Sequence, residues 1–187
     1  MDDETRKLVK SAALKAAIVF VLWVVGYHGF IRPNGRLDHW FSMKVVEFTK
    51  NGISILGYNT AYGINPDGKG INPRYIFVDG TPVLSVADGC NGVELIALFI
   101  GFFIIFPGNW RSKTVFILLG SIGVFLLNVI REMALAFNYM YFRQSFDLNH
   151  KYTFVLIVYG LIFIVWRYWL NNYSFLKELK QENAQKS

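Results

Sequence analysis

Four apolar runs, separated by segments that carry most of the charge, restrict this chain to a small set of folds. They cover about residues 12–31, 90–106, 114–141 and 152–170. A helix rises about 1.5 Å per residue, so roughly 17 to 25 apolar residues are enough to cross a bilayer. The second run is at the short limit, and its ends are expected close to the two interfaces. The apolar residues come in blocks rather than at the spacing of an amphipathic helix. Charged residues make up 17% of the sequence, against about a quarter in a soluble domain. The expected fold is an all-α membrane protein, a bundle of about four transmembrane helices in a single domain over residues 1–187. The first run follows basic residues, as a secretory signal does. It is long for a signal core, however, and ends in Tyr27-His28-Gly29-Phe30-Ile31 rather than at a small-residue cleavage site. It is read as a retained anchor.

The net charge of +6 is explained by topology rather than by nucleic acid, and no nucleic-acid partner is expected. Arg6, Lys7, Lys10 and Lys15 precede or enter the first run, Arg111 and Lys113 fill the short turn between the second and third, and Arg167, Lys177, Lys180 and Lys186 surround the end of the fourth. With four spans these segments share one side, and the excess of Lys and Arg makes that side the cytoplasm. The chain is thus expected in the cell inner (plasma) membrane, multi-pass, with both termini cytoplasmic and a cytoplasmic tail over 171–187. Arg32 and Arg36 argue the other way, but they open a long loop, and long loops obey the rule weakly.

That outer loop, 32–89, is too long to be a plain connector. Between Asp38 and Leu56, apolar residues at loosely helical spacing predict an interfacial helix, with Trp40 and Phe41 at headgroup level. Tyr58 to Arg74, rich in Gly, Asn and Pro, reads as loop. Tyr75-Ile76-Phe77-Val78 and Thr81-Pro82-Val83-Leu84-Ser85-Val86 flank Asp79-Gly80, a two-residue hairpin signal. Pro82 makes its strand an edge or an irregular one.

The hairpin feeds into Asp88-Gly89-Cys90, which holds the only cysteine of the chain. From Thr114 to Arg131 the third run rises about 26 Å as helix, which brings Arg131 near the depth of Cys90. Asn128, at i−3, shares its face. A short connection returns the chain at Asn149-His150-Lys151, just before the fourth run. A thiol, a guanidinium and an imidazole therefore meet at one membrane surface, the outer one. Thiolate is a good nucleophile, and a helix N-terminus or a nearby cation favours it. Arg131 is a permanent cation for a thiolate or oxyanion, and His150 titrates near neutrality and can carry the thiol proton. Asn128 can hydrogen-bond the guanidinium or the substrate backbone. Each residue has a plainer reading: a small buried hydrophobe for Cys90, a surface histidine for His150, and for Arg131 an ion pair with Glu94 or its neighbour Glu132. The whole chain then becomes a non-enzymatic membrane scaffold with Arg131–Glu94 as a structural pair. His28 and His39 are read as interfacial. The histidines and the cysteine match no metal-site spacing, so no metal and no cofactor are expected. Phe102, Phe103, Trp166 and Trp169 are read as lipid-facing or packing residues.

Cys90 after a short polar turn, Asn128-Val129-Ile130-Arg131 late in an outward helix, and His150 before the last run resemble the exosortase/archaeosortase family. The likeness covers about Val78 to Trp169, as a short form that keeps the catalytic core. The family pattern at the nucleophile is close to Ala-Cys-Ser-Gly, whereas here it is Gly89-Cys90-Asn91-Gly92, so Asn91 replaces a serine beside the nucleophile. The resemblance implies a membrane cysteine transpeptidase or thiol protease. Cys90 would be its nucleophile, His150 its general base and acid and Arg131 its oxyanion or thiolate stabiliser, with Asn128, Asn91 and Glu94 in supporting or substrate-binding places. It implies partners too: the C-terminal sorting signal of secreted proteins, and a membrane lipid or surface-glycan acceptor.

Overall fold

A computed structural model of the chain describes residues 3–27, 29, 35–64 and 74–174. His28, Arg32, Asp67, the rest of the stretch 65–73 and the tail beyond 174 lie outside the described residues. In chain order the elements are α1 (Asp3–Gly26), α2 (Arg36–Ile55), β1 (Thr60–Gly63), β2 (Tyr75–Val78), β3 (Thr81–Ser85), α3 (Val93–Ile105), α4 (Trp110–Tyr141) and α5 (Phe154–Tyr173).

Helix lengths follow from where the sequence stops them. Phe106 is extended because Pro107 follows it, which disfavours the helical region and ends α3. Asn109 then caps α4, its side chain accepting from the Arg111 N–H at 2.9 Å. At its other end α3 begins only at Val93, because Asp88–Cys90 form a separate single turn of 3-10 helix. Trp110–Tyr141, and Arg143–Tyr173 counting the turns that lead into α5, are long and apolar enough to cross a membrane; the apolar stretches Ala17–Gly26 and Val93–Ile105 are shorter. Among the described residues, length and composition thus single out two helices where four full spans were expected, and the second apolar run loses its first residues to the turn.

The loop between α1 and α3 carries both expected elements. α2 buries Asp38, Ser42, Val45, Val46, Thr49 and Ile53 along one face. β2 and β3 form the expected hairpin, with Asp79 (φ 49°) and Gly80 (φ 79°) in the left-handed region that a two-residue turn requires. Pro82 lies on an edge strand, and pairing shifts register between Ile76 and Phe77. The segment read as loop over 58–74 needs correcting. Thr60–Gly63 is a third strand, antiparallel to β2 on its other side. Four residues are too few to display alternation. What fixes this strand is tertiary: Asn59 and Asp79 exchange hydrogen bonds at 3.1 and 2.8 Å.

Two apolar cores result. One joins α2, the sheet and the late part of α4 around Val45, Val46, Ile53, Ile76, Val86 and Leu135. The other joins α3, α4 and α5 around Phe99, Phe103, Val124, Ile162 and Trp169. There the aromatics are packing residues: Phe102 stacks on Trp166 at 4.4 Å and Phe103 meets Trp169 edge-on at 5.1 Å. α4, about 48 Å long at 1.5 Å per residue, runs through both cores, and the Cys90 turn sits where they meet.

Two substitutions test this frame. Leu135→Ala should cost about 2–5 kcal/mol by emptying a fully buried position, whereas Ile55→Ala, at an 85% exposed site, should change stability by less than about 0.5 kcal/mol. Thermal unfolding in detergent reads both; equal losses would remove α4 from the first core. Gly92 has φ 83°, and a Cβ there would lie 3.2 Å from Asn128. Gly92→Ala should therefore destabilise the protein, by about 1–3 kcal/mol for the backbone conformation, in the same assay.

Candidate active site

Cys90 ends the 3-10 turn, its N–H bonded to the Ala87 carbonyl at 2.9 Å. The next two residues lock that turn in place. The Asn91 side chain, 1% exposed, accepts from the Val93 N–H at 3.0 Å and caps the start of α3. Its amide donates to Asp38, at 3.2 Å to the carbonyl and 3.4 Å to the carboxylate, and to the Ser42 hydroxyl at 3.4 Å. The residue that departs from the family pattern thus ties the cysteine turn to α2. Its polar atoms face the scaffold. Gly92, in a left-handed conformation, then lets the chain turn into α3 directly against α4.

α4 supplies the second wall. Asn128, fully buried, donates from its amide to the Cys90 carbonyl at 2.9 Å. Its Oδ1 accepts from Arg131 Nη1 at 3.4 Å, across the i, i+3 spacing. The same Nη1 lies 3.3 Å from Glu132 Oε1. The sequence offered Glu94 and Glu132 as partners of Arg131; among the described residues the ion pair is with Glu132. Glu94 is exposed on the first turn of α3 and lines the cavity without pairing to Arg131.

His150 arrives from the α4–α5 connection. Ser145 holds this turn, donating to the Phe142 carbonyl at 2.9 Å and accepting from Asn138 at 3.0 Å and Asn149 at 3.4 Å. Asn149–Thr153 then form one wide, π-helical turn, a distortion frequent at functional sites. It presents His150 Nε2 at 3.9 Å from Cys90 Sγ. The imidazole lies parallel to Phe146, with centroids 5.8 Å apart and planes 3° apart, so the ring is held flat while its edge faces the sulfur. The sequence reading missed Phe146, although its i−4 spacing from His150 is a helical neighbour signal. His39, read as interfacial, contacts Arg74 at 3.2 Å and ties α2 to the sheet.

The three candidate groups therefore come together. A cavity of about 150 Å³ opens beside them, lined by Gly89, Cys90, Gly92, Glu94, Leu95, Asn128, Arg131, Val155, Val158 and Tyr159. The α5 residues of this lining, Val155, Val158 and Tyr159, carried no signal in sequence because an apolar span looks alike on every face. Cys90 lies in the turn ahead of α3. Burial pushes its thiol up, Glu132 and Glu94 add to the rise, and Arg131, by charge and hydrogen bonding, opposes it. The turn thus favours a neutral thiol facing the imidazole over a preformed thiolate. Such a site can carry out acyl transfer if the imidazole takes the thiol proton as the sulfur attacks.

The family model described as Transmembrane exosortase (Exosortase_EpsH) matches residues 6–171. No curated protein and no solved structure matches the chain. The match begins far upstream of Val78, where the resemblance in sequence set in, and so includes α1, α2 and the sheet as well as the cysteine turn. The chain belongs to the transmembrane exosortase family.

Proposed function

We propose that this exosortase is a membrane cysteine transpeptidase. Its substrates are secreted proteins with a C-terminal sorting signal made of a short motif, a hydrophobic helix and a basic end. The observation that carries the reading is the 3.9 Å approach of His150 Nε2 to Cys90 Sγ beside a guanidinium. His150 takes the thiol proton as the sulfur attacks the scissile carbonyl carbon, and the carbonyl oxygen becomes an oxyanion. Arg131 stabilises that charge as it develops, in a pocket where the low local dielectric strengthens the interaction. Collapse of the intermediate breaks the C–N bond. The leaving amine takes the proton from His150, and a thioester remains on Cys90. An amine or hydroxyl of a lipid or surface-glycan acceptor then attacks the thioester, gives its proton to His150, and releases the protein as Cys90 regains a proton. Water in place of the acceptor gives hydrolysis by the same steps. Asn128 holds the Cys90 carbonyl throughout and keeps the sulfur on the His150 side.

Co-expression with a signal-bearing secreted protein tests the assignment. Cys90→Ala should abolish processing while the enzyme still accumulates. Arg131→Lys keeps the charge but loses the planar fork of donors, and should slow processing by about 10²-fold or more, the effect of losing an oxyanion donor. His150→Gln should cost about 10²–10⁴-fold. Normal processing by Cys90→Ala would end the reading. The mass of the released protein separates transfer from hydrolysis.

A further inference from the structure

Arg131 and Glu132 are consecutive on α4, and consecutive helical residues point about 100° apart. They form an ion pair all the same, with Nη1 and Oε1 3.3 Å apart and side-chain exposures of 10% and 2%. Nη1 also donates to Asn128 Oδ1, so this one nitrogen carries the contacts to both Asn128 and Glu132. Its Nε–H is buried and meets no acceptor among the described residues. Glu132 is buried, as are Asn128, Val129, Leu135 and Ala136 on the same helix. Burying a carboxylate costs several kcal/mol even when paired, and a leucine of similar size would fit this environment without that cost. Accepting a hydrogen bond from Nη1 is what leucine cannot do. Asn128, the other acceptor on that nitrogen, is already tied to the Cys90 carbonyl.

We propose that Glu132 is a positioning residue for Arg131: its carboxylate fixes one corner of the guanidinium so that the remaining donors stay directed at the Cys90 cavity. Its catalytic meaning rests on the transpeptidase reading, but the contact can be tested without any substrate. The probe is a water-soluble maleimide, reacting with Cys90 of the purified full chain in detergent at a fixed, mildly alkaline pH. Cys90 is the chain's only thiol, and Arg131 is the cation that favours its thiolate.

Glu132→Gln keeps an oxygen acceptor and removes a charge that opposes the thiolate, so its alkylation rate should equal or exceed that of the native protein. Glu132→Leu removes the same charge and the acceptor as well, and should alkylate at least threefold more slowly than Glu132→Gln. Glu132→Asn, equally neutral, withdraws the oxygen by one methylene and should fall between them, which keeps the test available if the leucine variant does not fold. In an Arg131→Lys background, Gln, Leu and Asn at 132 should agree within twofold, because the acceptor acts only through the fork. Equal rates for the Gln, Leu and Asn variants in the native background, or an unchanged difference in the Arg131→Lys background, would overturn the proposal. If these thiol results hold while Cys90→Ala still processes protein, the positioning role stands and the transpeptidase reading falls.

Discussion

The contact between the Asn128 amide and the Cys90 carbonyl, 2.9 Å long and wholly buried on the Asn128 side, is the joint on which the site depends. It fixes the cysteine turn to the middle of α4. Gly92 makes this approach feasible, because any side chain there would press on Asn128 and strain a backbone at φ 83°. From that joint the remaining geometry follows. Arg131 lies one turn further along the same helix face, and His150 reaches the sulfur once the α4–α5 connection folds back through its wide turn. The turn is fastened on the opposite side by Asn91 to Asp38 and Ser42, so it is held between α2 and α4. The small sheet serves the same end: β3 delivers the chain to this point, and β1 and β2 support β3.

Charge within an apolar helix gives the second constraint. A guanidinium buried to 10% exposure is expensive in such surroundings unless it is paired or used. Here it is paired with Glu132 through one nitrogen, which offsets the cost while leaving Nε–H without a partner among the described residues. A cation tied down at every donor would be structural. One with a donor to spare, beside a cavity and a sulfur, is suited to receive a charge that appears only during reaction.

Much of this arrangement was legible in the residues, and the reasons differ by element. The convergence of Cys90, Arg131 and His150 followed from helix rise alone, because a continuous helix from Thr114 fixes the depth of Arg131 within a few ångströms. The hairpin was legible because Asp79-Gly80 demands positive φ. Strand β1 was not, since four residues amid Gly, Asn and Pro reveal no period and the strand depends on a partner already formed. The choice between Glu94 and Glu132 was also beyond spacing arguments. Glu94 lies on the facing helix and is exposed, whereas an i, i+1 pair forms only when the long arginine side chain folds back on its own helix. Asn91 looked like a substitution in a substrate-contacting place, and its role in capping α3 and binding α2 emerged only with the packing.

The protonation state of Cys90 connects these features. A thiolate standing permanently beside a cation would be open to oxidation and to stray electrophiles, since susceptibility follows thiolate character and access. In this protein burial and two carboxylates favour the thiol, and Arg131 pulls against them. On the proposed transpeptidase reading, the nucleophile is produced on demand, by transfer of a proton to His150. The 3.9 Å separation is longer than a productive hydrogen bond of about 2.6–3.2 Å, and such contacts tighten when substrate arrives. The Phe146 ring lies parallel to the imidazole and holds its plane. Substrate filling the cavity beside Cys90 would exclude water from the guanidinium, which strengthens its attraction for the new negative charge. On the proposed reading, substrate binding and ionisation of the cysteine would then go together.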